Sequence, residues 1–127
     1  AMALLEAVDL TQFADTVTAE MPYGRKRALE IATTLALEPT MLLLDEPTQG
    51  MGNEDIARVV DLIRKVSANR TILMVEHNLS VVANLCDRIT VLTRGSVLAE
   101  GTYAEVSKNP KVLEAYVGSD DMSDAHH

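Results

Sequence analysis

The sequence predicts an α/β fold in which parallel strands are flanked by helices. Residues 41–44 and 71–75 are short apolar runs without polar alternation, which is typical of strands buried in a parallel sheet. A third strand is predicted over residues 88–93, and segments with helical spacing of apolar residues separate the three. The order strand, helix, strand, helix, strand is that of a parallel α/β sheet.

Taken in order, the first 20 residues are predicted to be helical. Their apolar side consists of Leu4, Leu5, Val8 and Leu10. Residues 24–37 repeat apolar side chains at helical spacing, and Pro39 ends that helix. After the first strand, Asn53 is predicted to cap a helix whose apolar face is Ile56, Val59, Val60, Ile63 and Val66.

The second half of the chain is predicted to alternate in the same way. A short helix from Leu79 to Cys86 leads into the third strand. Arg94-Gly95-Ser96 is a turn signal, so residues 97–100 should form a C-terminal β-hairpin with that strand. Two short helices, about 103–108 and 111–117, are predicted to follow.

Composition narrows the classes of partner. Eleven Lys and Arg against nineteen Asp and Glu give 11 − 19 = −8, which argues against nucleic acid or an anionic lipid surface as the main partner. Apolar runs such as Met41 to Leu44 are far too short to insert directly into a membrane. The single Cys86 excludes an internal disulfide and a multi-cysteine zinc site in one chain. We therefore expect a soluble, cytoplasmic domain. Residues 119–127 are interpreted as an acidic tail ending in a tag remnant.

Two carboxylates follow the first strand. Asp45 and Glu46 would lie at the C-terminal end of a buried strand, where open α/β sheets place ligands. The first could hold Mg²⁺ and the second could deprotonate a water that attacks a phosphoryl group. For a bare apolar-Asp-Glu string, however, an Asp capping a turn before a proline is the commoner explanation.

A histidine follows the second strand. Glu76-His77-Asn78 ends that strand, so His77 should reach the same sheet edge one crossover away. A neutral imidazole there could hydrogen-bond a phosphate oxygen or the attacking water. Taken alone, His77 is more often a structural histidine, and only its pairing with the first strand end favours a functional role.

These motifs resemble the second half of an ABC-transporter nucleotide-binding domain, a P-loop NTPase. The matching strings are LLLDEPTQGM at 42–51, MVEHN at 74–78 and DRITVLTRGSVLAEGT at 87–102. Tyr23-Gly24, residues 29–32 and NPKVLEAYVG at 109–118 resemble in particular the ATPase subunits of branched-chain amino-acid importers. The resemblance covers residues 10–118 in order and spacing, and it implies a partial ABC ATPase core.

The resemblance implies a role for each matching residue. Asp45 matches the Walker B carboxylate that holds Mg²⁺, Glu46 the catalytic base, and His77 the switch histidine that contacts the γ-phosphate. The signature loop, which faces nucleotide held by an opposite subunit, matches a run of four residues that would help to bind the cofactor, Mg-ATP: Pro22, Tyr23, Gly24 and Arg25. Residues 49–52 match the D-loop between subunits.

Other parts of the family pattern do not occur in this sequence. The six glycines, at positions 24, 50, 52, 95, 101 and 118, include no pair five residues apart, so there is no G-x-x-x-x-G-K-[ST] phosphate loop, or Walker A. The signature serine is replaced by Pro22, its glutamine by Arg25, and the usual D-loop Asp or Asn by Gly52. We therefore expect negligible ATPase activity from this chain alone, and it is open whether it binds Mg-ATP at all.

The resemblance also implies a domain plan and partners. Residues 1–40 would be a remnant of the helical subdomain with a signature-like helix, and residues 41–118 the C-terminal half of the ATPase core. In the family a further strand lies between the strand that ends at His77 and the strand around residues 89–92. We therefore expect either that those two strands pair directly or that a second copy supplies a strand, giving a homodimer or strand-swapped oligomer. Other implied partners are an ABC permease, which would bring the chain to the inner membrane, or a transporter ATPase.

Two functional hypotheses remain open. The first is a partial ATP-binding subunit of an ABC importer, with Asp45, Glu46 and His77 as the catalytic half. The second is a non-enzymatic interaction module that self-associates or binds a transporter ATPase. A metal hydrolase that uses the same three residues without nucleotide is weaker, since only one histidine lies in the predicted fold.

Overall fold

The chain divides into two compact units, Ala1–Val81 and Val82–His127. The structure, a computed structural model, describes residues 1–116. The acidic tail at 119–127 therefore lies outside the described residues, as does Val117 at the end of the last predicted helix.

The first unit begins with less helix than the sequence predicts. Helix α1 covers only Met2–Ala7, and two single 3₁₀ turns follow at Thr11–Phe13 and Thr18–Glu20. The prediction of one helix over 20 residues is wrong because Asp9, with φ of +58°, adopts a left-handed conformation that a right-handed helix cannot contain. Val8 and Leu10 are nevertheless buried, as the apolar pattern predicts.

Two longer helices carry most of the first unit's core. Helix α2 spans Tyr23–Leu35 and helix α3 spans Asn53–Val66. The apolar stripes predicted for them are largely buried and include Ala28, Ile31, Ala32 and Leu35 of α2 and Val59, Val60, Ile63 and Val66 of α3. Asn53 does not cap α3, as the sequence suggested; it is the first helical residue, and Gly52 in an extended conformation occupies the cap position.

The first unit also contains a two-stranded parallel sheet. Strand β1, Met41–Asp45, pairs with strand β2, Thr71–Val75, in the register Met41 with Thr71 and Asp45 with Val75. Only one face is covered: Leu42 is 1% exposed, whereas its neighbour Leu43 is 71% exposed. The prediction that both strands are fully buried is therefore wrong, because nothing in the described part of the first unit covers the second face.

The second unit contains the predicted hairpin. Helix α4, Leu79–Leu85, spans the boundary between the units, and strand β3, Ile89–Thr93, pairs antiparallel with strand β4, Ser96–Gly101. Helix α5, Tyr103–Ser107, begins with a capping box in which Thr102 and Glu105 exchange side-chain to backbone bonds. Residues 110–116 are also helical.

The sheet is less extensive than predicted. Within residues 1–116, β1 pairs only with β2 and β3 only with β4, so the prediction of a parallel pair between β2 and β3 is wrong. A two-residue turn provides β4 as the local partner of β3, and such a pair forms without a crossover. The alternative, in which a second copy supplies a strand, stays a prediction.

Candidate active site

The candidate site lies where the two parallel strands of the first unit end. Asp45 is opposite Val75 in the register, and the next N–H, that of Glu46, donates to the Val75 carbonyl at 2.7 Å. The residues that follow both strands are therefore held side by side, as parallel pairing requires of strand ends.

Glu46 and His77 are in direct contact. Nδ1 of His77 lies 2.8 Å from Oε1 of Glu46, and the side chains are 71% and 32% exposed respectively. Because an ionised carboxylate can only accept, a neutral His77 in this contact carries its proton on Nδ1. Such a pair can orient an imidazole and pass a proton between base and ring.

The backbone of Glu46 is unusual. Its φ of +45° places it in the left-handed region, which is uncommon for a residue with a side chain, and the following Pro47 restricts it further. Conformations of this kind persist only where surrounding contacts hold them. The direction of the Glu46 carboxylate therefore depends on a turn that contacts before and after Glu46 must hold in place.

Glu76 is a site residue that the sequence did not single out. Its Oε2 accepts the hydroxyl of Thr48 at 2.7 Å and the Thr48 N–H at 3.4 Å. Its Oε1 accepts the N–H groups of His77 at 3.1 Å and Asn78 at 3.3 Å. A contact between residues 28 positions apart depends on strand register, so no local motif could reveal it; the only signal was a carboxylate beside His77.

Asp45 occupies a different position from its neighbour. It is exposed on the open face of the sheet, two residues after Leu43, which lies on the same face. Protein Mg²⁺ sites commonly use one or two carboxylates and leave the other positions to water and substrate phosphates, and a single exposed Asp45 fits that donor set. Within residues 1–116, no three His, Cys, Asp or Glu side chains cluster closely enough to form a metal site by themselves.

The four signature positions lie at the start of α2. Pro22 precedes the helix, and its carbonyl accepts from the N–H of Arg25 at 3.0 Å. Gly24 is buried so close to α3 that a Cβ on it would lie 2.9 Å from Cγ of Asp55. Cζ of Arg27 lies over the Tyr23 ring, 5.9 Å from its centroid. These contacts are with residues of α2 and α3, and none of them involves Asp45, Glu46 or His77.

A cavity of about 240 Å³ borders the signature positions. Its wall includes Arg25 and Arg58 together with Asp55 and Asp61. Arg58 lies 3.8 Å from Asp55, so the charges of the wall partly neutralise one another. The cavity is therefore not a uniformly basic anion site.

Comparisons with known proteins place these features in a family. A family model described as ABC transporter matches residues 1–49, and one described as branched-chain amino acid ATP-binding cassette transporter matches residues 96–122. Among curated relatives, the branched-chain amino acid transport ATP-binding proteins BraF of Pseudomonas aeruginosa and LivG of Escherichia coli K12 are 38% and 36% identical. Each alignment covers 90% of this chain and 46% of the relative.

Solved structures with a similar fold are also ATP-binding cassettes of ABC transporters. MJ1267, an ATP-binding cassette of an ABC transporter in its ADP conformation, superposes with a TM-score of 0.84 at 30% identity, over 92% of this chain and 48% of the other. A nucleotide-free ATP-binding cassette gives 0.79 at 28% identity, over 91% and 47%.

The chain therefore corresponds in sequence and fold to part of an ABC-transporter ATPase domain, and it spans about half the length of the relatives that it matches. Within that family its relatives include ATP-binding proteins of branched-chain amino acid transport, as the resemblance in the sequence predicted. The partial ABC ATPase core with a C-terminal hairpin is likewise confirmed. None of the helices in residues 1–116 is long and apolar enough to cross a bilayer.

Proposed function

We propose that this chain is the C-terminal half of the ATP-binding subunit of an ABC importer of the branched-chain amino-acid type. In this proposal residues 1–40 belong to the helical subdomain and residues 41–118 to the ATPase core. The observation that supports a catalytic half is the 2.8 Å contact between Glu46 and His77 at adjacent ends of two parallel strands. The subunit would act in the cytoplasm as part of a dimer and reach the inner membrane through a permease.

Each site residue has a distinct role in the proposal. Glu46 accepts a proton from the attacking water, and His77, held by the Glu46 carboxylate at Nδ1, faces the γ-phosphate with Nε2, which donates a hydrogen bond there when the ring is protonated. Asp45 would hold Mg²⁺, which neutralises charge on the phosphates when it is bound. The start of α2, from Pro22 to Arg25, would face nucleotide bound by an opposite subunit, since a helix N-terminus favours anions.

The proposal predicts a sharp dependence on one carboxylate. In a chimera in which residues 10–118 replace the matching half of a BraF-type relative, Glu46→Gln should lower Mg-ATP turnover by about 10²-fold or more, since general-base catalysis contributes roughly that much. Glu38→Gln, at an exposed carboxylate outside the site, is the matched control and should leave turnover unchanged.

Two results would contradict the proposal. One is a folded, nucleotide-binding chimera whose turnover is unaffected by Glu46→Gln. The other is Mg²⁺-dependent turnover by this chain alone that Glu46→Gln abolishes, because we expect the isolated chain, without a Walker A sequence, to show negligible activity.

A second candidate function is a non-enzymatic interaction module. The observation that favours it is the open face of the β1–β2 sheet, where Met41, Leu43, Leu73 and Val75 are each about half exposed or more. An apolar patch of this kind is typical of a protein contact surface. Retention of this chain on an immobilised ABC ATPase, with loss of retention in a Leu43→Gln variant, would support the module over the enzyme.

A further inference from the structure

Glu76 joins the two loops that carry the candidate catalytic pair. Its two oxygens are divided between these loops. One accepts hydrogen bonds from the hydroxyl and the N–H of Thr48, in the loop after β1. The other accepts from the N–H groups of His77 and Asn78, in the loop after β2. Each oxygen of an ionised carboxylate has the capacity for such paired acceptance. A single side chain thus fixes the separation of the two loops.

The Thr48 end of this connection is shielded from water. Thr48 is only 4% exposed and Pro47 beside it is buried. A hydroxyl without a partner in such a place would be unfavourable, so the bond to Glu76 is the arrangement that satisfies it. Water competes poorly for a bond buried in this way.

The same connection limits the movement of Glu46. The Glu46 N–H is held by the Val75 carbonyl on one side, and Thr48, two residues later, is held by Glu76 on the other. Between these anchors Glu46 keeps its left-handed backbone and reaches His77. A turn in an uncommon conformation needs such external contacts to persist.

We infer that Glu76 and Thr48 are positioning residues: their hydrogen bonds, which we name the Glu76–Thr48 latch, hold the Glu46 carboxylate against Nδ1 of His77. The inference rests on the proposed function for its catalytic meaning. In this scheme the latch contacts neither the attacking water nor the phosphate, because the Glu76 oxygens bind Thr48 and the backbone N–H groups of His77 and Asn78. Its effect is on the orientation of the pair.

The experiment reads the geometry of His77 directly on this chain. Ring ¹⁵N chemical shifts of His77, measured where the imidazole is neutral and assigned by their loss in His77→Gln, report which nitrogen carries the proton. The wild-type chain should favour the Nδ1–H form. Thr48→Val, which replaces the hydroxyl by a methyl group, and Glu76→Gln, whose amide cannot accept on both sides, should each shift the tautomer ratio toward Nε2–H by about tenfold.

Two controls separate positioning from loss of stability. Thr48→Ser keeps the hydroxyl and should keep the wild-type ratio. Val106→Ala removes buried side-chain volume in the other unit and should lower the thermal midpoint without moving the ratio. If Thr48→Val does not fold, Glu76→Gln decides alone, since Glu76 is only partly buried.

The outcomes distinguish the latch from the function on which it rests. A wild-type ratio in folded Glu76→Gln and Thr48→Val would overturn the latch and leave the Glu46–His77 pair intact. A wild-type chain that favours Nε2–H would overturn the pair and the latch with it. If the His77 tautomer ratio shifts as expected in Thr48→Val and Glu76→Gln but Glu46→Gln leaves the turnover of the chimera unchanged, the proposed function is wrong and the latch is supported.

Discussion

Glu46 combines an uncommon backbone conformation with the central contact of the site. Its φ of +45° costs about 1–3 kcal/mol in general, an amount comparable to one or two hydrogen bonds to a charged group. Glu76 accepts four such bonds across the two loops that flank the site. The surrounding bonds are therefore of the right magnitude to keep Glu46 in place.

Cys86 provides a prediction at the same scale. Partial burial, and secondarily the negative charge of Asp87, raise the pKa of its thiol. Because the thiolate is the nucleophile, alkylation by iodoacetamide near neutral pH should be slower than that of a free cysteine, and it should accelerate only at more alkaline pH.

An Asp87 variant tests the cause. Asp87→Asn removes the charge and should increase the alkylation rate by up to severalfold while leaving the rate below that of free cysteine, since burial is the larger cause. Asp61→Asn, in the other unit, is the control. An unchanged rate in Asp87→Asn would show that Asp87 does not act on the thiol.

Single residues also show how far the sequence alone could lead. The adjacency of Glu46 and His77 followed from two strand ends in one parallel sheet, and the contact agrees with it. The pairing of Glu76 with Thr48 could not be foreseen, since neither residue type at either position is diagnostic and their meeting depends on the path of two loops.

Among the elements, the β3–β4 hairpin has a sharply defined turn. Arg94 and Gly95 both have positive φ, +48° and +77°, as two-residue hairpin turns require. Gly95→Ala should therefore destabilise the second unit by about 1 kcal/mol, since a side chain is strained there. Arg94→Asn should stabilise it by a few tenths of a kcal/mol up to about 1, because Asn tolerates this conformation better than Arg.

Urea denaturation of Gly95→Ala and Arg94→Asn, together with two control variants, would check both effects. Arg94→Ala is the matched control for Arg94→Asn, since it removes the same guanidinium without the Asn preference. Equal midpoints for Arg94→Asn and Arg94→Ala would contradict the conformational explanation. Ser96→Ala, at the first residue of β4, should have little effect.

The approach of α2 to α3 allows a second element-level prediction. Gly24→Ala would put a Cβ 2.9 Å from Cγ of Asp55, and we expect a cost of about 1–3 kcal/mol, partly offset by the better helix propensity of Ala. Asp55→Ala removes the two nearest atoms and leaves Cβ at 3.2 Å, so Gly24→Ala should cost clearly less in that background. A double-mutant cycle in urea measures the difference, and additive effects would show that the clash is relieved elsewhere.

The elements also differ in how well the sequence predicted them. The long periodic helices α2 and α3 and the hairpin were predicted to within a few residues, because their patterns are local. The start of the chain was not, because its apolar residues, including Val8 and Leu10, are buried without a continuous helix. The predicted pair between β2 and β3 was also wrong, because sheet order depends on contacts distant in sequence.

For the whole molecule, the open apolar face of the β1–β2 sheet favours association. Leu43 and Leu73 are partners in the register and are both more than half exposed. Leu43→Gln with Leu73→Gln should therefore raise the monomer fraction in size exclusion with light scattering. Val97→Gln, at an exposed apolar residue of the other unit, is the control. A wild-type chain that stays monomeric across a wide concentration range would refute self-association through this face.

The family and the half-length match were foreseeable at this scale, since the strand-end motifs occur in order. The open sheet face was not, because the same apolar runs would suit a strand covered on both sides. A sequence pattern specifies what a strand can bury against, and only the assembled fold shows what is there to cover it.

The register of β1 against β2 links these levels in a way that concerns folding fidelity. Side chains alternate with a period of two, so a slip of one residue would turn Leu43 inward and move Glu46 away from His77. It would also separate Thr48 from Glu76. A mispaired chain would thus lose its inner packing, its loop anchor and the contact between Glu46 and His77 at once, so an error in register should be strongly disfavoured over the native pairing.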